Sequence, residues 1–456
     1  MLSDGLLRDI IKKTLSGGGE YADVFVEWRE ATFIQLEDRK IEKVVSGIDS
    51  GAGIRLIKGK KTAYAYTNDL SRESLIRAAE ALSSGTEEHS LDLRKKSPKV
   101  DFVIKIPPLS VPMDKKVSLV HLADKTARGV GSGIKQVSVT YRDSIQRVQI
   151  ATSEGEIAED ERIHTVALVN VVAERDSTIQ TGYESAGGHI GFELFDETPI
   201  EALALRAAER ALMMLSAKKV EGGRMPVVIS SEAGGTMIHE AIGHGLEADL
   251  SGQGLSVYSG KIGQKIASNL ITVIDDPTLP NKRGSYRFDD EATPSQRTIL
   301  VKDGILINYL YDRLSAIKEG RASTGNGRRE SYMHRPIPRM TNTFIAPGNT
   351  PPENVLKATQ KGLYVKKMGG GQVNTITGDF VFDVMEGYLI ENGKQGEPVR
   401  GATLTGNGPE VLLSIDMVGS DLGFSIGTCG KDSQGVPVSD AMPTVRIPEM
   451  VVGGKL

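Results

Sequence analysis

Residues 221–245 read EGGRMPVVISSEAGGTMIHEAIGHG, and the organisation of the chain turns on them. Glu221-Gly222-Gly223 is a turn signal that ends one unit. A short strand is expected at 225–230, and a helix carrying His239 and His244 follows it. Before this stretch helices and alternating segments intermix, and after it the chain is β-rich and dense in glycine. We therefore expect an α+β protein of two domains. Residues 1–220 form a mixed α/β domain with antiparallel strands, suited to assembly or to a substrate channel. Residues 221–456 form a glycine-rich, β-dominated domain that carries the metal-site helix.

Working back towards the N-terminus, residues 198–217 read as a helix. Thr198 caps it, Pro199 takes the first helical position, and Glu201 completes a capping box. Leu6, Leu7, Ile10 and Ile11 share one face of an opening amphipathic helix. Alternation with Val24, Val26 and Trp28 on one face marks a strand at 23–30, and similar segments follow at 32–38, 41–46 and 53–66. Helices are expected at 72–83 and 115–127, with a polar connection at 85–108. Strands are expected at 137–142, 146–152 and 163–174. Beyond residue 245, strands are expected at 296–301, 305–311, 380–391 and 411–417, with a helix at 352–361.

Bulk composition narrows the class. At 456 residues the chain exceeds one ordinary hydrophobic core. Glycine accounts for 51 of them, above the usual ~7%, and its clustering between alternating segments points to hairpins and bulges. The net charge is −4 and no dense basic block appears, which argues against nucleic acid as a partner. The longest apolar stretch, 166–173, falls far short of the roughly 20 residues needed to cross a bilayer. The N-terminus lacks the apolar core of a signal peptide, and a lone cysteine makes no internal disulfide. A cytoplasmic protein is expected.

The motif at 239–244 is HExxxH. Histidines four apart share a helix face, as in HExxH zinc peptidases. Five apart, they point about 140° from one another on a regular α-helix. A π-type widening around 241–243 brings them to one side, and Gly243 tolerates that distortion. Imidazoles suit zinc, and a carboxylate beside the first histidine, Glu240, is placed to take a proton from water and pass it to a leaving amine. A catalytic zinc site usually has three protein ligands. Cys429, between Thr428 and Gly430, is the best remaining soft donor. Two other readings stand beside this one: a helix whose histidines satisfy backbone carbonyls, and a cysteine that is simply small and buried. A His₂Cys set also resembles a blue-copper ligand set, but the intervening glutamate favours hydrolysis.

Further segments carry the comparison beyond one motif. They are 239–249 (HEAIGHGLEAD), 284–294 (GSYRFDDEATP), 326–343 (NGRRESYMHRPIPRMTNT), 386–394 (EGYLIENGK), 427–438 (GTCGKDSQGVPV) and the closing Val451-Val452-Gly453-Gly454. In that order they resemble the TldD/PmbA family, specifically its metal-bearing TldD-like members. The resemblance implies a two-domain metallopeptidase acting on short or unfolded peptides. It implies one Zn²⁺ held by His239, His244 and Cys429, with Glu240 as catalytic base. It also implies a dimer, typically with a paralogue that lacks the metal motif, though a homodimer is compatible.

Other polar residues are candidates for supporting roles. Glu247 and Asp249 are expected to orient the ligand histidines, or else to be helix-end charges. Arg329 is a candidate donor to a peptide carboxylate or oxyanion, and Tyr332 a candidate donor to the tetrahedral intermediate. The acidic triplet Asp289, Asp290 and Glu291 reads either as support near the site or as a solvated loop, and His334 as a surface or packing residue. A peptidase of low specificity grips backbone, and the glycine-dense segments 369–377 and 401–408 are candidates for an open sheet edge. A non-catalytic peptide-binding subunit of the same architecture and a zinc amidase on a modified small molecule are the alternative functions.

Overall fold

The alternating residues near the N-terminus form one 17-residue strand, Tyr21–Glu37, in the middle of a seven-stranded sheet. The computed structural model describes residues 1–83 and 89–454. Across this sheet run Lys61–Thr67, Lys40–Lys58, Tyr21–Glu37, Ile134–Thr152 and Glu156–Arg175. Thr178–Gly188 pairs antiparallel with Glu156–Arg175, and the short Arg94–Lys95 strand pairs parallel with it.

The period of two divides the sheet between two environments. Val24, Val26, Ile34 and Leu36 point to one face, where they pack under four helices, Asp4–Leu15, Arg72–Leu82, Met113–Gly129 and Ile200–Ser216. Each such buried aliphatic side chain contributes about 1.5–3 kcal/mol. Phe25, Val148 and Ile150 point to the other face and meet Phe288, Ala292 and Tyr332 from the second half of the chain. The sheet is thus covered on both sides.

The second half holds two larger sheets. A six-stranded sheet has the order Ile305–Leu306, Thr298–Lys302, Val273–Asp275, Asn342–Ile345, Gln434–Met442, Gly423–Lys431. Gly423–Lys431 is its last strand. In the eight-stranded sheet, Lys361–Val373, Gly223–Ile229, Val445–Gly453, Thr403–Asn407 and Asp379–Glu391 pair in a ring that closes on itself. Among the described residues no helix is long and apolar enough to cross a membrane.

Several local expectations are corrected. Strands expected separately at 137–142 and 146–152 are one strand, Ile134–Thr152. Asp143, in the interval between them, is paired with Lys116 at 2.6 Å and accepts from the Tyr141 hydroxyl, and the strand runs through it. Residues 408–414 form a helix, not the expected strand, because Pro409 starts it and Val411 and Leu412 face the core. Pro199 is the N-cap of Ile200–Ser216 without a side-chain bond, and Thr198 instead ends the short helix Leu194–Glu197. The segment 401–408 is no open edge, since Thr403–Asn407 is paired on both sides. Lys361–Val373 does keep one: its pairing with Gly223–Ile229 covers only Leu363–Val365. Of the expected 85–108 connection, residues 85–88 lie outside the described residues.

Candidate metal centre

His239–Gly243 forms a π-helical turn, followed by a 3₁₀ turn at His244–Leu246. The widening solves the spacing problem, and the two imidazole rings stand edge to face with centroids 4.9 Å apart. A Cβ at Gly243 would lie 2.1 Å from Met340 Sδ, so any larger residue there has to displace that side chain or shift the turn. The Tyr258 hydroxyl donates to the Ala241 carbonyl at 3.0 Å, supplying a partner to backbone within the widened turn.

The third group arrives from far along the chain. Cys429 lies in the Gly423–Lys431 strand, 2% exposed, with Sγ 3.6 Å from His244 Nε2. One ligand atom from each of His239, His244 and Cys429 lies within 4.8 Å of the others. The strand turns back through Asp432 and Ser433, both at positive φ, into Gln434–Met442. Register pairs Cys429 with Val436 and Ser425 with Asp440. Opposed residues share a face, so Cys429, Lys431 and Asp440 all point to the same side of this hairpin.

That face supplies the surrounding shell. Asp440 Oδ1 is 2.7 Å from His239 Nδ1, and Glu247 Oε2 is 2.9 Å from His244 Nδ1. Both histidines therefore have Nε2 left for the centre. Lys431 Nζ contacts Glu247 at 3.0 Å and Asp249 at 2.7 Å. Glu247 thus occupies the expected orienting position. Asp249 does not touch either histidine and holds Lys431 instead. Asp440 was not anticipated, although the two-residue turn and strand parity place it on the cysteine's face.

Electrostatics follow from this packing. Burial would lower both histidines, but Asp440 raises His239 well above its usual value, and Glu247 with Cys429 brings His244 to about 10. Burial would raise Cys429, yet hydrogen bonds to the two histidines bring it down to about 5, so the sulfur is a thiolate. Glu240 is raised by burial, an effect partly offset by His239 and His244. His239 and Glu240 line one pocket of about 340 Å³, together with Tyr183, Lys367, Gly369 and Thr428. Tyr183 comes from the N-terminal sheet, a contribution that nothing in the sequence signalled.

Arg329, Tyr332 and the acidic triplet lie elsewhere. Arg329 is buried over the Phe25 ring, donates to the Asp290 carbonyl at 2.8 Å, and does not line the metal-bearing pocket. Tyr332 is 5% exposed, its hydroxyl 3.3 Å from Asp49, and also lies outside that pocket. Asp289, Asp290 and Glu291 are buried rather than solvated. Asp290 pairs with Arg162 at 2.7 Å and Glu291 with Arg55 at 2.6 Å, tying the second half to the N-terminal sheet. His334 packs against Ser331 at 3.0 Å.

Comparison with known proteins agrees with this geometry. Residues 22–85, 106–215 and 222–454 match models of domain 1, the central domain and the C-terminal domain of the PmbA/TldA metallopeptidases. A Metalloprotease TldD homolog of Haemophilus influenzae is 39% identical over 448 residues, covering 95% of this chain and 93% of that protein. A Metalloprotease of Methanothermobacter thermautotrophicus is 36% identical over 438 residues, covering 95% and 96%. The crystal structure of TldE from Thermococcus kodakarensis shares the fold with a TM-score of 0.80, at 19% identity and 99% coverage of both chains. With all three domain models matched in order, and a soft, buried ligand cluster at the π-turn, the chain belongs to the PmbA/TldA metallopeptidase family.

Proposed function

We propose that the protein is a zinc-dependent metallopeptidase that hydrolyses short or unfolded peptides. The observation that carries this reading is the convergence of His239, His244 and Cys429 within 4.8 Å beside Glu240. The donor set fits a zinc ion: two imidazole nitrogens with carboxylates behind them, which would give up a proton to bind it, and one thiolate. Zinc bound there supplies Lewis acidity to water and to a carbonyl oxygen. Glu240 takes the proton from the attacking water and returns it to the leaving amine. Asp440 and Glu247 keep each Nδ1 engaged, and Lys431 balances the Glu247 charge inside the fold.

Residues 366–373, with no strand on one side among the described residues, supply backbone for an extended peptide next to the same pocket. Peptides N-methylated at alternate backbone nitrogens should then bind much more weakly. Equal binding would remove the sheet-edge mode.

We further propose a dimer in the cytoplasm, with a metal-less paralogue or a second copy. The outer half of Lys40–Lys58 exposes Val44, Val45 and Ile48 and, among the described residues, has no strand partner on its far edge. Light scattering with and without a co-expressed paralogue tests the assembly.

The direct test is metal content by mass spectrometry on wild type, His239→Ala and Cys429→Ser, with peptide digestion alongside. About one zinc per chain, lost in both variants together with activity, is expected. Glu240→Gln should keep the metal and lose about 10²–10⁴-fold in rate. No metal in the wild type, even with zinc supplied, would leave a non-catalytic binding subunit. Turnover of modified small amides but not peptides would favour the amidase reading.

A further inference from the structure

A second cavity, of about 270 Å³, lies between the N-terminal sheet and the second half of the chain. Its wall is dominated by arginine: Arg29, Arg142, Arg162, Arg283, Arg328 and Arg329. Sheet register explains the first part of this. Arg29, Gln146 and Arg162 face one another in a row across three strands, and Arg142 lies on the same face.

The charges do not balance. Asp290 and Glu330 are the cavity's two acidic residues. Asp290 is taken by Arg162 and the Arg329 backbone, and Glu330 accepts from the Gly435 N–H at 2.5 Å. Among the described residues, Arg29, Arg142, Arg283 and Arg328 have no carboxylate partner. Arg328 is 5% exposed, yet its guanidinium donates only to the Met340 and Pro437 carbonyls. Arg283 Nε is buried with no hydrogen-bond partner at all. Burial and the neighbouring arginines lower Arg283 to about 10, the direction expected where cations crowd without an anion.

The cavity adjoins the metal-bearing pocket. Thr428 lines both. Arg283 Nη1 donates to the Gly427 carbonyl at 2.9 Å and to Thr428 Oγ1 at 3.4 Å, and Gly427 also lines the metal-bearing pocket. Thr428 faces the other side of this strand from Cys429, so a peptide reaching from Arg283 to the metal centre rounds Gly423–Lys431, the last strand of its sheet. Guanidinium forks match carboxylates in a bidentate manner.

We propose that this cavity binds the C-terminal carboxylate of a peptide whose scissile bond lies at the metal centre, so that the protein selects short peptides by their free C-terminus. The proposal rests on the peptidase reading for its substrate, and binding can be measured separately from cleavage. The probe is a labelled short peptide with neutral side chains, made as the free acid and as the C-terminal amide. Its binding to metal-loaded protein is read by fluorescence anisotropy for wild type, Arg283→Ala, Arg283→Lys and Arg142→Ala, with hydrolysis followed in parallel.

The acid should bind roughly tenfold or more tighter than the amide to wild type. That ratio should fall towards one in Arg283→Ala, be partly kept in Arg283→Lys, and drop in Arg142→Ala, whose exposed side chain is removed without opening the core. Equal binding of acid and amide to wild type, no binding of either, or a ratio unchanged in both alanine variants overturns the proposal. Tight binding of inorganic phosphate with no acid preference also overturns it, in favour of a phosphate site. Selective acid binding without hydrolysis supports the cavity while defeating the peptidase reading.

Discussion

Asp440 is the residue whose position most affects the centre without forming part of it. It sits 2.7 Å from His239 Nδ1 and so fixes which nitrogen of that ring faces inward. Asp440→Asn should keep the fold but weaken zinc binding about 10–100-fold, measured by competition with a chromophoric chelator. Unchanged affinity would mean that packing alone orients the ring. The structure brings His239, His244 and Cys429 together; the histidine pair was legible from its spacing around a glutamate, whereas the cysteine was singled out by the family resemblance, since alone it reads equally as a small buried residue. Asp440 was not legible, because an aspartate within an apolar strand signals nothing until its opposite number across the hairpin is known. Tyr332 lies away from the metal-bearing pocket because the N-terminal sheet buries it, while Arg329 faces the arginine-lined cavity beside that pocket.

At the scale of elements, the π-turn decides whether the two histidines meet. Gly243→Ala would push a methyl group into Met340, so the turn must shift or Met340 must move. We expect a loss of about 1–3 kcal/mol in urea unfolding, accompanied by reduced zinc content. A stable variant that keeps its metal would show that Met340 yields instead. The need for this widening was legible from the five-residue spacing and the geometry of a regular helix. Long strands were legible through their alternation, but their ends were not. The polar stretch around Asp143 broke the alternation, and what holds it in the strand is an ion pair with Lys116, from another element. The helix Gly408–Ser414 was misread because Val411-Leu412-Leu413 is too short an apolar run to reveal its period.

At the scale of the whole molecule, a buried ionic network joins the N-terminal sheet to the rest. Arg55 is 1% exposed and bridges Asp23 and Glu291, the latter at 2.6 Å. Arg55→Ala strands two buried carboxylates and should cost about 3–5 kcal/mol, seen as a lower unfolding temperature. Burial and nearby Glu291 also raise Asp289 to about 8 and Asp312 to about 7, from a usual value of 3.8. Between these limits the folded chain holds protons that the unfolded chain has released. The stability supplied by these two carboxyls is therefore full below pH ~4 and is lost as pH rises towards 8. Melting temperature should fall across that window, and Asp312→Asn, which retains a helix-capping oxygen, should flatten the slope. An identical slope in the variant would assign it to other groups.

The strand that carries Cys429 also sets a timetable. His244 and Cys429 are 185 residues apart in the chain, and among the described residues Gly423–Lys431 joins its sheet through Gln434–Met442 alone, which pairs in turn with Asn342–Ile345. During synthesis both histidines leave the ribosome long before the sulfur that completes their set. A nascent chain therefore carries a two-ligand site of low affinity, and docking of the late hairpin is the event that creates a strong one. Metal capture is coupled in this way to the docking of one hairpin, so a chain in which that hairpin has not yet folded lacks its third ligand.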